Sequence, residues 1–383
     1  MEDNAINAEE LQTIGITEEI EKEGIDGAVQ LMDKPFDPTK INIETKTPSL
    51  DTLIKRIKDK RVQLNTESYF QRKDDLWDIV KQSRLIESIL IQFPLPAFFF
   101  DATDNNQWLV VDGLQRLSSI RNFAVEKTLK LTKLEFLTQY NGCGWEDLPG
   151  NLQTAIEESQ VVIYKIMPGT PTDVKFNIFK RINTGGLVLE PQEIRHALFQ
   201  GKPADFMIEL AQTREFLEAT DHKIATHRML DRDFANRFLC FYLLGCENYQ
   251  SDLDTYMSKA MAMINNPDTD TNKIKHDFKE AMILSKLIFG REAFRKVYCD
   301  YKILPPINKA LFDAIAVQFA LLSEEERNVL KGCKDDFRKE LKESLHDDEH
   351  FFTSVSSSTG DKNRVLYRHE KVKELIEKFT IKT

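Results

Sequence analysis

Hydrophobic residues change their spacing at Asp112-Gly113, and this change marks the clearest element boundary in the chain. The run Trp108–Val111 is short, apolar and rich in β-forming residues, and Asp104-Asn105-Asn106 precedes it, so it predicts a buried strand that follows a turn. After Gly113 the apolar residues lie three apart, as on one face of a helix, at Leu114, Leu117, Ile120 and Phe123. The pattern therefore predicts a strand-to-helix switch at Asp112-Gly113.

Several further elements are predicted on both sides of this switch. Helical stripes begin near Leu50, near Ile79 and, behind Thr170-Pro171, before Phe176. Another helix is expected to start at Pro191. Short apolar runs predict strands at Val62–Leu64, Ala97–Phe100 and Gln160–Met167. Strands mixed with helices in this way predict an α+β domain.

From Gly201 onward nearly every apolar stripe has helical spacing. Phe234, Phe238 and Phe241 form one such stripe, which is expected to be core. An exception is Ser354–Asn363, a Ser-, Thr- and Gly-rich stretch that predicts a loop. Two roles remain open for it: a structural linker, or a mobile loop that contacts nucleic acid through Lys362, Arg364 and Arg368. The expected organisation is a flexible acidic tail over residues 1–34, an α+β domain over 35–200 and a helical domain over 201–383.

Charge is distributed unevenly. The first thirty residues hold nine acidic residues and one lysine, which accounts for most of the net charge of −10. The rest of the chain is therefore near neutral and could present a basic face, so the charge neither supports nor excludes DNA binding.

The five cysteines include no C-x-x-C pair, which favours a reducing compartment and disfavours a zinc ribbon. No targeting segment stands at the start of the sequence, and no apolar run is long enough to span a bilayer. We therefore expect a cytoplasmic protein without a membrane partner.

The strand-to-helix switch also carries the strongest candidate chemistry. Asp112 could cap free amides there, and Gly113 would let a ligand approach the backbone closely. Gln115 and Arg116 fall in the first helical turn, where an anionic group would find several donors. These residues outline a phosphate site.

A second cluster of candidates lies between the helix that holds Phe179 and the helix that begins at Pro191. Asn183 and Gly185 stand at the end of the first helix, and Glu193 and Arg195 stand in the first turns of the second. A helix end, a Gly-Gly loop and a new helix start within about ten residues would bring backbone donors and charges together. A helix cap and a local ion pair are the plainer alternative.

Four ordered motifs give the chain a specific resemblance. Asp112-Gly113-Leu114-Gln115-Arg116 resembles the Asp-Gly-Gln-Gln-Arg box in the N-terminal domain of GmrSD-type restriction endonucleases, a family also called domain of unknown function 262. Leu114 departs from this box. Further matches are Tyr69-Phe70-Gln71-Arg72, the segment from Trp77 to Pro96, and Phe179–Gly186 with Leu189, Glu193 and Arg195. Together they cover about Thr47 to Gly201.

The resemblance implies a ParB/sulfiredoxin-like fold and nucleotide binding or hydrolysis with Mg²⁺ and a nucleoside triphosphate. Asp112, Gln115 and Arg116 would be catalytic: Asp112 would orient water or hydrogen-bond Arg116, Gln115 would position water or phosphate, and Arg116 would bind phosphate oxygens. Nucleotide or phosphate contacts would come from Gly113, Gln71, Arg72, Asn183, Gly185, Glu193 and Arg195. Leu114 is expected to weaken turnover more than binding.

The expected partners are DNA and a separate nuclease or another subunit of a bacterial defence system, and a homo-oligomer is an open alternative. A non-catalytic adaptor or sensor of DNA is the main rival function, and an autonomous DNA nickase is a further one. The second half lacks the His-Asn-His pattern of a nuclease. His346–His350 matches a short zinc-protease spacing without a third ligand, so no metal site is predicted from protein residues.

Overall fold

The structure is a computed structural model, and it describes residues 19–21, 37–64, 77–182, 189–299 and 303–381. Contacts along the chain divide it into two compact units. The sheet unit is Phe36–Leu198, and the helical unit combines Met1–Pro35 with Phe199–Thr383. The chain thus enters and leaves the sheet unit from the same helical unit.

In the described part of the chain, five strands form the sheet: β1 (Ile43–Lys46), β2 (Val62–Gln63), β3 (Phe98–Asp101), β4 (Trp108–Asp112) and β5 (Ile163–Ile166). Their order is β1-β5-β3-β4-β2. β4 pairs with β3 antiparallel and with β2 parallel, whereas β5 is antiparallel to β1 and parallel to β3. β2 is short, and its last residue, Gln63, lies opposite Leu109 near the start of β4.

Helices cover both faces of this sheet. The helices are α1 (Leu50–Lys58), α2 (Ile79–Leu90), α3 (Leu114–Ile120), α4 (Gly150–Glu158), α5 (Thr172–Ile182) and α6 (Pro191–Leu198), and a π turn at Arg121–Val125 continues α3. Trp108 and Val110 belong to the core formed with α1, α2 and α3. The alternate residues Leu109 and Val111 belong to the core formed with α5 and α6. β4 is buried on both sides, which explains its continuous apolar sequence.

The predicted α+β class is confirmed, and most predicted elements occur where the pattern placed them. The run Gln160–Met167 forms a strand only over Ile163–Ile166, because Gln160 makes a single bridge with Ser49 outside the paired region.

A buried carboxylate fastens a long loop to α2. Glu87 is 3% exposed and accepts backbone N–H bonds from Glu135 (3.0 Å), Phe136 (2.7 Å) and Leu137 (2.8 Å). Ser83, one turn earlier, accepts the N–H of Thr132 at 3.0 Å. These bonds hold the pKa of Glu87 below its ordinary value against the opposing effect of burial.

The helical unit is built from ten further helices within the described residues. They are α7 (Lys202–Ala211), α8 (Arg214–Ala219), α9 (Leu230–Leu244), α10 (Leu253–Met263), α11 (Thr271–Phe289), α12 (Lys309–Ala320), α13 (Glu324–Gly332), α14 (Lys334–Asp347), α15 (Glu349–Ser356) and α16 (Lys362–Thr380). Phe234, Phe238 and Phe241 lie in its core, as their spacing predicted.

Part of the acidic N-terminal segment is fastened to the helical unit. Ile20 forms a parallel bridge with Ile307, and Ile307 N donates to Glu19 O at 3.0 Å. Glu21 pairs with Lys296 at 2.6 Å and accepts from Asn308 at 3.0 Å. Glu19–Glu21 therefore have fixed partners, whereas the rest of residues 1–34 lies outside the described range.

The expectation of a loop over Ser354–Asn363 was wrong at both ends. α15 continues to Ser356, and α16 begins at Lys362 because Asp361 caps it through the N–H groups of Asn363 and Arg364. Arg368 lies in the middle of α16 and is fully buried, so it is not available to nucleic acid.

Arg368 instead belongs to a buried charge cluster around Asp313. The Asp313 carboxylate accepts from Arg368 Nε and Nη2, each at 3.0 Å, and from Arg237 Nη2 at 2.9 Å. His369 Nε2 lies 3.5 Å from Asp313 Oδ1. Arg368 and Arg237 hold the pKa of Asp313 far below its ordinary value despite its complete burial.

The five cysteines are free thiols. Among the described residues, no helix combines the length and the apolar character needed to cross a bilayer.

Candidate functional site

The strand-to-helix switch is present, and Gly113 makes it. Asp112 is the last residue of β4, and Leu114 is the first residue of α3. Gly113 adopts a left-handed conformation with φ +98°. A Cβ atom on it would lie 2.5 Å from Cδ1 of Phe98, so glycine is required by its dihedral angle and by its neighbour.

Arg116 is bound to its own chain. Its Nη2 donates to Asp112 Oδ2 at 2.9 Å and to the Ala97 carbonyl at 3.1 Å, and its Nη1 donates to the Pro96 carbonyl. The guanidinium also lies over the Phe98 ring, 4.5 Å from its centroid. With 8% exposure, Arg116 joins α3 to β4 and to the segment before β3. Its role as a phosphate ligand stays a prediction.

Asp112 was predicted either to orient a water molecule or to accept a hydrogen bond from Arg116. The structure contains the hydrogen bond from Arg116. Burial raises the pKa of its carboxyl, and the attraction of Arg116 opposes that rise. Its side chain keeps 25% exposure, so it retains access to solvent. A carboxylate with one oxygen on an arginine and partial access can still serve a metal ion.

Gln115 is held with a defined amide orientation. Its Oε1 accepts the backbone N–H of Trp77 at 3.0 Å. A backbone N–H can only donate, so the atom of Gln115 that faces it must be the oxygen. The Nε2 group has no hydrogen-bond partner among the described residues and is therefore a donor open to a ligand.

Packing accounts for the presence of Leu114 where the family box has Gln. It is partly buried and packs against the core shared by α1, α2 and α3. The position contributes to packing in this chain, where an amide would have to find polar partners.

Four predicted site residues lie outside the described part of the chain: Gln71, Arg72, Asn183 and Gly185. The gap that holds Gln71 and Arg72 is flanked by Leu64, which directly follows β2, and by Trp77, which binds Gln115. Trp77 thus adjoins the Asp112 turn through Gln115, whereas Leu64 follows a strand that pairs with the start of β4.

Glu193 and Arg195 are buried in α6, with 0% and 1% exposure. Glu193 Oε2 accepts the N–H of Glu190 at 2.7 Å, the return bond of a helix capping box. Arg195 Nε donates to Gln192 Oε1 at 2.8 Å. α6 packs on the face of the sheet opposite α3, and no described contact joins these two residues to Asp112, Gln115 or Arg116.

Sequence reasoning did not foresee the partners that shape the Asp112 turn. Trp77 and Pro96 matched the family by spacing, but their backbone contacts to Gln115 and Arg116 were not inferred. Phe98 was assigned to a strand, whereas its ring also restricts Gly113 and stacks on Arg116. Backbone groups leave little trace in a sequence, although an aromatic beside a glycine turn is a usable signal.

A cavity in the sheet unit lies away from the Asp112 turn and does not suit a phosphate. It has about 530 Å³ and is lined by parts of α1, α2, α4 and the Gln92–Leu95 segment. Among its described lining residues Glu158 is the one charged group, and a carboxylate repels phosphate.

His346 and His350 do not share a helix face. Asp348 interrupts the helix, so His346 ends α14 and His350 begins α15. Across the described residues, no group of three or more His, Cys, Asp or Glu side chains could hold a metal ion.

Comparison with known proteins agrees with the motifs. The sequence profile of the GmrSD restriction endonuclease N-terminal domain matches residues 50–200. No curated protein and no solved structure matched the chain. The matched range contains the Asp112 turn, Gln115, Arg116 and α6, and it ends two residues after the sheet unit. Residues 50–200 therefore match the GmrSD restriction endonuclease N-terminal domain family, as the motifs predicted.

Proposed function

We propose that the sheet unit binds a nucleoside triphosphate with Mg²⁺ at the Asp112–Arg116 turn and hydrolyses it, as a DNA-directed module of a restriction-like bacterial defence system. The observation that carries this proposal is the Gln115 amide, whose nitrogen is left as an open donor beside a glycine turn. An amide N–H donor suits a phosphate oxygen, which can only accept.

Each residue of the turn has a separate role in this proposal. Gln115 donates to a phosphate oxygen, and Gly113 makes the left-handed turn between Asp112 and α3. Asp112 is a carboxylate of the kind that holds Mg²⁺ together with nucleotide phosphates and water. The metal would neutralise charge on the phosphates. Arg116 positions Asp112 through their 2.9 Å contact.

The remaining predicted residues would complete the nucleotide site. We propose that Gln71, Arg72, Asn183 and Gly185 supply further phosphate or base contacts. Glu193 and Arg195 are buried in α6, and we propose that they act by fixing the start of that helix.

Three coarser parts of the proposal rest on the family match. They are a ParB/sulfiredoxin-like fold for the sheet unit, DNA as the target, and a separate nuclease or defence subunit as the partner. The helical unit would be an all-helical domain of the same module, within a cytoplasmic protein.

Titration of the four ribonucleoside triphosphates with Mg²⁺ into the full chain, followed by calorimetry, tests the function. We expect saturable binding by the wild type and its loss in Gln115→Leu, with the circular dichroism spectrum unchanged. Inorganic phosphate should be released from the nucleotide only by protein that binds the nucleotide. Failure of the wild type to bind any of the four nucleotides would refute the proposal.

A non-catalytic adaptor is the second candidate, because Arg116 makes three hydrogen bonds within its own chain and Leu114 replaces an amide of the family box. The Asp112→Asn variant separates the two candidates. Under the first, hydrolysis is lost while the fold is kept. Under the second, only the free energy of unfolding changes.

A further inference from the structure

A chain of hydrogen bonds connects the guanidinium of Arg121 to the side-chain amide of Gln115. Arg121 donates to Asn122 Oδ1 through Nε (3.2 Å) and Nη2 (2.9 Å). Asn122 Nδ2 donates to Gln82 Oε1 at 3.1 Å, and Gln82 Nε2 donates to the Trp77 carbonyl at 2.8 Å. Trp77 N then donates to Gln115 Oε1 at 3.0 Å.

The direction of every bond in this chain is forced. A guanidinium can only donate, so Asn122 must present its oxygen to Arg121 and its nitrogen to Gln82. Gln82 then accepts through its oxygen and must donate through its nitrogen, which matches a backbone carbonyl that can only accept. The other end of the chain of hydrogen bonds gives the same direction independently. The Trp77 N–H can only donate, so it must face the oxygen of Gln115.

Burial makes this chain of hydrogen bonds rigid. Gln82 is 6% exposed, and its amide cannot rotate without leaving polar groups of Trp77 and Asn122 unsatisfied inside the unit. Trp77 is therefore held at its carbonyl by Gln82, while its N–H orients Gln115.

We propose that Gln82 and Asn122 are positioning residues that hold Trp77, and through it present the Gln115 amide to its ligand as a donor only. The ligand atom is thus a hydrogen-bond acceptor, such as a phosphate oxygen, and not a group that must donate to Gln115. This inference rests on the proposed nucleotide site and specifies the role of Gln115 within it.

Gln115→Glu tests the donor assignment. The new carboxylate can still accept the Trp77 N–H, but its second oxygen replaces the donor with a negative charge. We expect the exchange protection of the Trp77 amide to persist, while nucleotide affinity falls more than about 10-fold. Unchanged nucleotide affinity in this variant would overturn the donor assignment.

Gln82→Met tests the positioning role, because Met keeps the length of the side chain and removes its hydrogen bonds. We expect faster hydrogen exchange at the Trp77 amide in the ligand-free protein and nucleotide affinity about 3- to 10-fold weaker. Gln82→Glu should behave like Met at neutral pH. It should regain protection in acid, relative to the wild type at the same pH, when the protonated carboxyl can donate to Trp77.

Gln153→Met is the matched control, since Gln153 also ties a helix to backbone carbonyls, those of Trp145 (3.0 Å) and Leu148 (3.1 Å). It should change neither Trp77 exchange nor nucleotide affinity. Unaltered Trp77 exchange in Gln82→Met, or faster exchange with unaltered nucleotide affinity, would overturn the positioning role. If the wild type binds no nucleotide, the proposed function and the ligand assignment both fail, and the exchange measurement alone still decides whether Gln82 holds Trp77.

Discussion

Arg116 Nη2 and Asp112 Oδ2 form an ion pair of 2.9 Å that joins the last residue of β4 to the first turn of α3. The same guanidinium binds the carbonyls of Pro96 and Ala97, so it holds three segments of the sheet unit together. The residue that the family motif presents as a phosphate ligand is therefore a structural centre of the turn.

Arg116→Ala is expected to lower the free energy of unfolding of the sheet unit by about 3–5 kcal/mol, because it leaves the Asp112 carboxylate without its buried partner. The three tryptophans, Trp77, Trp108 and Trp145, lie in the sheet unit, so urea unfolding followed by tryptophan emission reports on this unit.

Lys55→Ala is the control for this variant. Lys55 pairs with Asp51 at 2.7 Å with the same four-residue separation, but its side chain is 71% exposed. Its loss should leave the urea midpoint nearly unchanged, because water screens an exposed ion pair. Equal effects of the two substitutions would contradict a structural role for Arg116.

Gly113→Ala should destabilise the sheet unit through two separate effects. A left-handed alanine costs about 1–2 kcal/mol. The clash of its Cβ with Phe98 adds about 1–3 kcal/mol. Gly142→Ala provides the comparison, since Gly142 has φ +87° but nothing within 4 Å of its Cβ position. Urea midpoints that coincide for the two variants would show that the contact with Phe98 has no energetic effect.

Acid should release the loop that Glu87 holds. The folded-state pKa of Glu87 lies below its ordinary value of 4.5, so its bonds to Glu135, Phe136 and Leu137 contribute stability above that value. The contribution declines as the pH falls below about 4.5 and toward the folded-state pKa.

Glu87→Gln removes the titrating group, so the pH dependence of the urea midpoint should become shallower between about pH 5 and 3. At neutral pH the substitution should cost about 1–3 kcal/mol, since a neutral amide accepts N–H bonds more weakly than a carboxylate. An unchanged acid slope would exclude Glu87 as its source.

Asp313→Ala should be among the most destabilising substitutions in the helical unit, at about 3–5 kcal/mol, because it leaves the buried Arg237 and Arg368 without their shared carboxylate. Thermal unfolding followed by far-ultraviolet circular dichroism gives the measurement. Glu340→Ala removes the surface partner of Lys378, an exposed pair at 2.6 Å, and should cost less than about 1 kcal/mol.

The sequence pattern predicted the position of the Asp112-Gly113 turn correctly, because residues that are near in sequence determine it. The short apolar run of β4 and the three-residue spacing after Gly113 are typical of a buried strand and of a helix, and both elements were confirmed. The start of α6 at Pro191 was confirmed for the same reason.

Long-range partners could not be predicted in this way. The phosphate contact of Arg116 stays a prediction, and two of its acceptors within the chain are the carbonyls of Pro96 and Ala97, which any residue type could offer. Arg368 is similar: its neighbours in sequence suggested a loop, whereas its burial depends on Asp313, which is 55 residues away.

The pairing of Glu21 with Lys296, 275 residues later in the chain, has a consequence for the order of events during synthesis. The sheet unit is one uninterrupted stretch, so it can collapse while the ribosome is still translating the second half. Glu19–Glu21 emerge first, yet Ile307 and Lys296 reach them only after most of the polypeptide has been made. Glu19–Glu21 can therefore bind their partners only after Lys296 and Ile307 have been synthesised. A nascent chain that stops at Leu198 would contain the complete sheet unit, with Glu19–Glu21 still unattached.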